Sequence, residues 1–393
     1  MTYDFAVIGA GVFGAWTARQ LHRAGASVVL LDAYGPANSR ASSGGETRVI
    51  RMGYGPDDLY TRWAIHSLPA WRQIESETGV QMFHQTGVLW LSEDSDAYTL
   101  KMIDVLKQQG VACERLSQGE IGIRYPELHF EHVSWAVLEQ ESGLLMARRS
   151  VQTLVDQLQR EGVDYRHATV DPLQLTQKLD ELKTAEGYRI SAGTFIFACG
   201  PWLPKVFPDL LAGRIFPSRQ EVFFLGPPAG NNSFQPSRMP VWLYHQHPYI
   251  PYALPDMEGR GFKIAFDLHG EAIDPDLDER IVSEASILRL RSFVAKHIPS
   301  LTHAPIVETR VCQYENTWKG DFLIDRHPQA ENVWIVGGGS GHGFKHGPAV
   351  GDYVVSQVLR NAPAEPRFSL GSKQGQQQRA CERRGLEETR DDR

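Results

Sequence analysis

Residues 5–14 are Phe5-Ala6-Val7-Ile8-Gly9-Ala10-Gly11-Val12-Phe13-Gly14. The four apolar residues that open this stretch predict a short buried strand, and residues 12–24 predict a helix directly after it. A second apolar run at residues 27–31 predicts another strand. This succession of strand, helix and strand predicts an α/β domain built on a parallel sheet.

The glycines between the first strand and the helix have separate roles in this pattern. Gly9 makes the tight turn, Gly11 lets the backbone approach a pyrophosphate, and Gly14 lets the helix pack against the strand. The helix then presents the positive end of its dipole to the phosphates. Asp32 ends the second strand, where a carboxylate accepts hydrogen bonds from a ribose. The stretch therefore predicts dinucleotide binding, and by itself it does not distinguish FAD from NAD.

The rest of the chain mixes helical patterns with strands that look antiparallel. This mixture predicts an α/β, Rossmann-like domain interleaved with a second α+β domain that carries a mostly antiparallel sheet. From residue 366 the apolar pattern stops, so residues 366–393 are predicted to form a disordered tail. The other predicted elements are helices at 57–78, 96–110, 148–161, 278–297 and 347–360, strands at 87–91, near 190 and at 195–197, 262–266 and 333–336, and a loop at 226–240.

Length and composition restrict the class of protein. A chain of 393 residues, 42% of them hydrophobic, is long enough for two domain cores. The net charge of -7 argues against nucleic acid or an anionic membrane as the main partner, and no apolar run is long enough to cross a bilayer. The N-terminal residues lack the basic flank and cleavage site of a signal peptide. We expect a cytoplasmic protein with no disulfide framework and no metal site, because no CxxC pair occurs among Cys113, Cys199, Cys312 and Cys381.

Further motifs follow the nucleotide-binding stretch in a defined order. Over residues 3–365 they resemble the amine-oxidising branch of the D-amino-acid oxidase superfamily, and within it the sarcosine oxidase and N-methyltryptophan oxidase families. This ordered set, rather than the glycine pattern, implies FAD instead of NAD. The motifs are Gly45-Glu46-Thr47-Arg48-Val49-Ile50-Arg51, Thr86-Gly87-Val88-Leu89, Glu141-Ser142-Gly143, Arg219-Gln220, Gly261-Phe262-Lys263, Val311-Cys312-Gln313-Tyr314, Asp321-Phe322-Leu323-Ile324-Asp325 and, most specific, Gly339-Ser340-Gly341-His342-Gly343-Phe344-Lys345.

The resemblance implies how the domains and the cofactor are arranged. Residues 1–85, 147–215 and 310–365 would form a discontinuous FAD-binding domain, and residues 86–146 and 216–309 the substrate domain. Cys312 matches the family cysteine that forms a thioether to the flavin ring, so the FAD is expected to be covalently bound; a small buried hydrophobe is the alternative. The remaining cofactor-binding positions are Gly9, Gly11, Gly14, Asp32, Arg48, Gly339, Gly341, His342, Gly343, Phe344 and Lys345.

Two basic residues are candidates for binding a substrate carboxylate. Lys345 ends a glycine-rich turn before a helix, where backbone N–H groups and the helix dipole favour an anion, and the match implies that it binds the carboxylate. Arg51 can hold a carboxylate with two parallel hydrogen bonds, and the match places Arg48 nearer the flavin. The alternative for all three is a solvated surface cation.

Lys263 lies in a strand whose alternation places Phe262 on the opposite face. Its face is either exposed to solvent or lines the flavin cavity, and the resemblance implies that this lysine serves oxygen activation. Tyr252 and Tyr314 match aromatic residues of the family's substrate pocket, where they would exclude water. For these two, as for the weaker candidates Tyr54 and Trp242, core packing is an open alternative.

The chain departs from the sarcosine oxidase pattern at three places. Ser43-Gly44, Met52 and Asp267 replace histidines of that family, so we expect a substrate other than sarcosine. The predicted function is that of a monomeric FAD-dependent oxidase of a small N-alkyl or cyclic amino acid, with O2 as acceptor and H2O2 as product. The alternatives are a dehydrogenase that passes electrons to a quinone or a protein carrier, and an assembly subunit that binds FAD without turnover.

Overall fold

The computed structural model describes residues 2–268 and 270–375. The strands are β1 (Thr2–Ile8), β2 (Val28–Asp32), β3 (Thr47–Ile50), β4 (Phe83–His84), β5 (Val88–Ser92), β6 (Glu114–Ser117), β7 (Trp135–Glu139), β8 (Gly143–Met146), β9 (Asp164–His167), β10 (Leu182–Lys183), β11 (Arg189–Phe197), β12 (Phe216–Leu225), β13 (Val241–Leu243), β14 (Pro251–Leu254), β15 (Phe262–Phe266), β16 (Ile306–Asn316), β17 (Leu323–His327) and β18 (Ala330–Gly337). The helices are α1 (Val12–Arg23), α2 (Asp58–Thr78), α3 (Ala97–Gln108), α4 (Gln118–Arg124), α5 (Ala147–Arg160), α6 (Leu203–Val206), α7 (Pro208–Leu211), α8 (Glu284–His297) and α9 (Gly347–Arg360). Among the described helices, none combines the length and the apolar character that a membrane crossing requires.

The first sheet has the order β17-β18-β11-β1-β2-β9, and β10 pairs with β11. From β18 to β9 the neighbours are parallel, whereas β17 and β10 are antiparallel to their partners. β1 lies in the middle because it is apolar on both faces, and Ala6 and Val7 are fully buried. The chain continues from β1 to β2 on one side, while β11 pairs on the other. The carboxyl end of β1 is therefore a topological switch point, where open α/β sheets bind their ligands.

The second sheet has eight strands in the order β16-β12-β15-β14-β13-β5-β7-β6. All its neighbours are antiparallel except β13 and β5. In β15, Phe262 and Ile264 pack into one hydrophobic core, whereas Lys263 and Ala265 lie on the opposite face, which is also buried. The predicted fold class is confirmed, and solvent exposure of the Lys263 face is excluded.

A small antiparallel sheet, in the order β3-β8-β4, carries the Thr47–Arg51 motif. It joins two segments that the domain assignment separates, since β3 falls within 1–85 and β8 within 86–146. The strands of the first sheet fall within the proposed FAD segments, and β16 crosses the proposed boundary at residue 310. The division into domains remains a proposal.

Nearly all predicted elements are confirmed within a few residues, and the predicted helix at 278–297 is the main shift. This helix, α8, begins at Glu284, where Ser283 Oγ accepts the Ser286 N–H at 3.2 Å. The preceding residues form a turn instead, because Asp274 Oδ1 accepts the N–H of Asp276 at 2.8 Å and that of Leu277 at 3.1 Å. A side-chain cap and an acidic turn thus override the amphipathic pattern.

The predicted tail is wrong for its first ten residues, 366–375. Pro366–Phe368 and Leu370–Ser372 form 3-10 turns, and Arg367 Nη1 lies 2.9 Å from Asp57 Oδ2. Phe368 is fully buried, with ring centroids 5.1 Å from Trp63 and 5.9 Å from Phe322. Phe368 and Arg367 contact the rest of the fold, as do the Leu370 N–H, which donates to Asp325 Oδ2 at 2.7 Å, and the Ser372 carbonyl, which accepts from Trp318 Nε1 at 2.7 Å. These few contacts produce no periodic apolar pattern in the sequence. Residues 376–393, with Cys381, lie outside the described residues.

We predict that Phe368→Ala lowers the free energy of unfolding by about 3–5 kcal/mol, because it leaves a cavity in an aromatic cluster. The measurement is urea denaturation of the FAD-free protein. Leu359→Ala, a half-exposed position in α9, is the control and should change the free energy by less than about 0.5 kcal/mol. Equal stability of the two variants would show that residues 366–375 are not anchored through Phe368.

Candidate active site

A cavity of about 400 Å³ opens at the carboxyl end of β1. The turn that borders it is tightly packed. Gly9 has a φ of +106°, and a Cβ there would lie 2.3 Å from Ala198 O. A Cβ on Gly14 would lie 1.8 Å from Gly9 O, so the absence of a side chain lets α1 approach the strand. Gly14 itself does not line the cavity.

The N-terminus of α1 faces this cavity. Gly11 is its N-cap residue and supplies no side-chain cap, and a Cβ on Gly11 would meet no atom nearer than Ser43 Oγ at 3.5 Å. Packing against the protein therefore does not require glycine at this position, and the missing side chain leaves space on the cavity side. Asp32 also lines the cavity; it accepts the Ala10 N–H at 2.7 Å and the Tyr34 N–H at 2.9 Å, and burial raises the pKa of its carboxyl. The positive end of the helix dipole and the open backbone at Gly11 suit the phosphates of a dinucleotide, and the Asp32 carboxylate suits a ribose.

A second cavity, of about 80 Å³, adjoins the first. The two share Arg48, Tyr314, Gly341 and Phe344 in their walls, so they lie on either side of the same residues. The structure thus brings together predicted residues from distant parts of the chain. Those lining the first cavity are Gly9, Gly11, Asp32, Arg48, Tyr314, Gly339, Gly341, Gly343 and Phe344; those lining the second are Arg48, Arg51, Tyr252, Lys263, Cys312, Tyr314, Gly341, His342, Phe344 and Lys345.

Arg51 is buried in the wall of the second cavity. The centre of its guanidinium lies 4.3 Å from the centroid of the Tyr54 ring and 4.8 Å from that of Trp90. Its Nη1 donates to the carbonyl of Gly53. Two aromatic faces and a carbonyl compensate part of the lost hydration and fix the plane of the guanidinium.

Lys345, which is far from Tyr54 in the sequence, contacts the same tyrosine. Its Nζ donates to the Tyr54 hydroxyl at 2.8 Å and to His342 O at 2.9 Å. The Tyr54 hydroxyl also lies 2.7 Å from His346 Nε2. Burial, and then the charge of Lys345, lowers the pKa of His346 well below its usual value, so this imidazole is neutral. Tyr54 therefore links Arg51 and Lys345 while His346 adds no third positive charge.

Lys263 extends from β15 to the small sheet. Its Nζ donates to Thr47 O at 2.9 Å and to Thr47 Oγ1 at 3.2 Å. Arg48 shares that carbonyl, with Nη1 at 2.7 Å, and its Nη2 donates to Ser42 O at 2.8 Å. Burial, followed by the charge of Arg48, lowers the pKa of Lys263 to about 7. This amine can therefore change protonation state near neutral pH.

Cys312 and the two predicted tyrosines line the wall beside Arg48. Cys312 Sγ lies 3.9 Å from Arg48 Nη2, and its side chain is half-buried, so the thiol is accessible from the cavity. Burial raises the pKa of both Tyr252 and Tyr314, and the carboxylate of Asp267 raises both further. Both phenols are therefore neutral and can donate hydrogen bonds.

Several residues of the site carry no motif in the sequence. Trp90 is one, and Glu139 is another, since its carboxylate accepts the Met52 N–H at 2.7 Å and the Trp90 Nε1–H at 2.6 Å. Both belong to strands whose largely apolar sequences indicate only that they are part of a hydrophobic core. Tyr54, a weaker candidate than Tyr252 in the sequence, contacts both Arg51 and Lys345, and we call these two basic residues the cation cluster. Trp242 is fully buried in the core behind the second sheet, so core packing is correct for it.

A dinucleotide cradle that opens into a cation-lined cavity defines an enzyme that acts on a small molecule with a bound nucleotide cofactor. The chain matches the family model of FAD dependent oxidoreductases over residues 4–357, and it belongs to this family. The predicted FAD cofactor and oxidoreductase class are thereby confirmed.

Individual proteins are similar over almost the whole chain. The monomeric sarcosine oxidase of Bacillus sp. (strain B-0618) is 29% identical over 375 residues, covering 94% of this chain and 95% of that protein. The peroxisomal sarcosine oxidase of Homo sapiens is 30% identical, covering 92% of this chain and 93% of its own. The crystal structure of L-proline dehydrogenase from P. horikoshii has a TM-score of 0.82 at 20% identity, covering 96% of this chain and 99% of that one, which shows a common fold.

The pKa of Lys263 predicts how stability depends on pH. Between its folded value of about 7 and its ordinary value of 10.5, the unfolded chain binds a proton that the folded chain does not. Lys263 therefore destabilises the folded state below pH 7, and this penalty disappears as the pH rises towards 10.5. Lys263→Met removes this penalty. The difference between its free energy of unfolding and that of wild type should therefore decrease between pH 7 and 9, by up to about 1.4 kcal/mol per pH unit.

Urea denaturation of the FAD-free proteins at several pH values measures this difference. Lys101→Met, on the exposed face of α3, is the matched control and should show no such trend. A difference between Lys263→Met and wild type that is constant across this range would mean that Lys263 keeps an ordinary pKa.

Proposed function

We propose that the protein oxidises a small amino acid with a secondary amine, using FAD and O2 and releasing H2O2. The observation that carries this proposal is the convergence of Arg51 and Lys345 on Tyr54, within a buried cavity that adjoins the dinucleotide cavity. The similarity to proteins named sarcosine oxidase supports the same reaction class.

The charge of this cavity suits a carboxylate. Two cations in one small space repel each other and have both lost hydration, and an anion between them relieves both penalties. A guanidinium held flat by two aromatic faces can make paired hydrogen bonds to a carboxylate, while the ammonium of Lys345 adds a point charge. We propose that Arg51 and Lys345 orient the substrate through its carboxylate, so that its amine lies next to the cofactor.

FAD, when bound, supplies the two-electron acceptor for the C–H bond next to nitrogen. Gly9, Gly11 and Asp32 would hold its nucleotide end, and the turn at 339–345, with Arg48, would surround its ring system. Water would hydrolyse the imine product. We propose that Lys263, in its protonated form, stabilises the negative charge that develops in oxygen reduction, because it is buried in the cavity wall that also contains Arg48 and Cys312.

The wider predictions extend the same proposal. An FAD-binding domain formed by residues 1–85, 147–215 and 310–365 would act with a substrate domain formed by 86–146 and 216–309. We propose a monomeric cytoplasmic enzyme with no nucleic acid or membrane partner. The net charge of -7 and the free thiols of Cys113, Cys199 and Cys312 support this assignment.

An anaerobic substrate screen that follows flavin bleaching tests the reaction and the carboxylate clamp. N-alkyl and cyclic amino acids should reduce the flavin, and their decarboxylated amines should react at least about a hundredfold more slowly, since they lack the carboxylate that Arg51 and Lys345 would orient. Arg51→Ala should weaken inhibition by a simple carboxylic acid by about 2–5 kcal/mol. A decarboxylated amine that reacts as fast as its parent amino acid contradicts the clamp.

The same screen separates the alternative functions. Admission of oxygen should restore the oxidised flavin and produce one H2O2 per cycle. Slow reoxidation by oxygen with fast reoxidation by a quinone would instead support a dehydrogenase. A flavin that no amine reduces would support a subunit without turnover. Arg62→Ala, an exposed arginine on α2, is the control for the Arg51 variant.

Covalent attachment of FAD through Cys312 has its own test. The thiol lines the cavity 3.9 Å from the Arg48 guanidinium, so it is placed where the flavin ring would lie. After acid precipitation the flavin should remain with the wild-type protein, and Cys312→Ser should release it. Cys113→Ser, a half-buried thiol outside both cavities, serves as the control. Release of flavin from the wild type would leave FAD bound without a covalent bond.

A further inference from the structure

The second cavity also contains hydrogen-bond acceptors, which a carboxylate clamp does not need. Gln220 is 3% exposed and lines the cavity. Its Nε2 donates to the carbonyl of Phe266, which fixes the orientation of the amide. Its Oε1 is buried and has no partner among the described residues. A buried amide oxygen without a partner costs free energy, so it is a position where a ligand can donate a hydrogen bond.

Asp267 provides a second acceptor at the same place. It follows Phe266 directly and lines the same cavity, so its carboxylate and the Gln220 amide lie at one end of β15. After burial, its charge helps to raise the pKa of Tyr252 and Tyr314, which line the same cavity. We call Gln220 and Asp267 the acceptor pair.

The polarity of the acceptor pair is opposite to that of Arg51 and Lys345. Those cations attract an anion, whereas an amide oxygen and a carboxylate attract a group that donates hydrogen bonds. The reacting amine is a poor match for Asp267, because a neighbouring carboxylate favours the protonated amine, which has no lone pair to assist oxidation. The acceptor pair therefore suits a different part of the substrate.

We propose that the substrate carries a hydroxyl or amino group on its N-substituent, and that Gln220 Oε1 and Asp267 bind this group. The inference rests on the proposed amino-acid oxidation and specifies its substrate class. A substrate with a carboxylate at one end and a hydrogen-bond donor at the other satisfies both polar ends of the cavity. An N-alkyl glycine satisfies only the first and leaves the buried Gln220 Oε1 without a donor.

Three glycine derivatives of matched size test the proposal. They are N-propylglycine, N-(2-hydroxyethyl)glycine and N-(2-aminoethyl)glycine, compared by the second-order rate of anaerobic flavin reduction in the holoenzyme. At least one of the two donor-bearing compounds should react at least about tenfold faster than the propyl compound. Wild type that reacts equally fast with all three, or fastest with N-propylglycine, overturns the proposal.

Variants assign this preference to the acceptor pair. Asp267→Asn should reduce the ratio of donor-bearing to propyl rates by about tenfold or more, and Gln220→Met should also reduce it. If Asp267→Asn slows the aminoethyl compound more than the hydroxyethyl compound, the group that binds the acceptor pair is an ammonium. If both rates fall by a similar factor, the group is a neutral hydroxyl. Asp104→Asn, on the exposed face of α3, is the control. A ratio within twofold of wild type in both acceptor-pair variants contradicts the assignment.

A binding measurement separates this proposal from the proposed reaction. In (propylthio)acetate and (2-hydroxyethylthio)acetate a sulfur replaces the amine, so their affinities follow from the shift of the flavin absorbance without turnover. The hydroxyl compound should bind about tenfold more tightly, and Asp267→Asn should remove that difference. If no amine reduces the flavin and this preference is present, only the proposed reaction fails. If N-alkyl glycines reduce the flavin and both compounds bind equally, only the acceptor pair fails.

Discussion

Arg51, Lys263 and Lys345 are each at most 4% exposed, and charges buried to this depth need partners. Among their partners are neutral groups. Two aromatic faces and the Gly53 carbonyl contact Arg51, the Tyr54 hydroxyl and a carbonyl accept from Lys345, and Thr47 accepts from Lys263. These neutral groups compensate part of the hydration that each cation has lost. The three cations line one cavity, where they can attract an anionic ligand.

The position of each cation depends on a different sheet. β15 of the second sheet carries Lys263, the small sheet carries Thr47 and Arg48, and the turn after β18 of the first sheet carries Lys345. None of these sheets alone contains the site. Hydrogen bonds across them, such as that from Lys263 to Thr47, tie the second sheet to the small sheet at the cavity. The site is therefore complete only when these sheets are packed together.

The sequence is informative where local geometry determines function. Gly9 and Gly14 could be assigned from spacing because a tight turn leaves no space for a side chain, and the parallel sheet could be predicted from apolar strands on either side of a helical pattern. The whole 339–345 motif could be matched to a family. Tyr54 could be named only as a weaker candidate, and Trp90 and Glu139 not at all, because their importance comes from contacts between segments far apart in the chain. An aromatic or acidic residue in a hydrophobic stretch looks the same whether it packs in the core or orients Arg51.

The segment after α9 has a consequence for how the molecule is made. Phe368 packs against Phe322, whose ring lies 5.0 Å from that of His342, and His342 contacts Tyr54. Residues 366–375 follow every helix and strand described, so they leave the ribosome after all of them. The aromatic layer behind the cation cluster therefore stays incomplete until the residues after α9 have been synthesised. A nascent chain would expose apolar rings at this place, and chaperones that recognise such surfaces would have their longest access here.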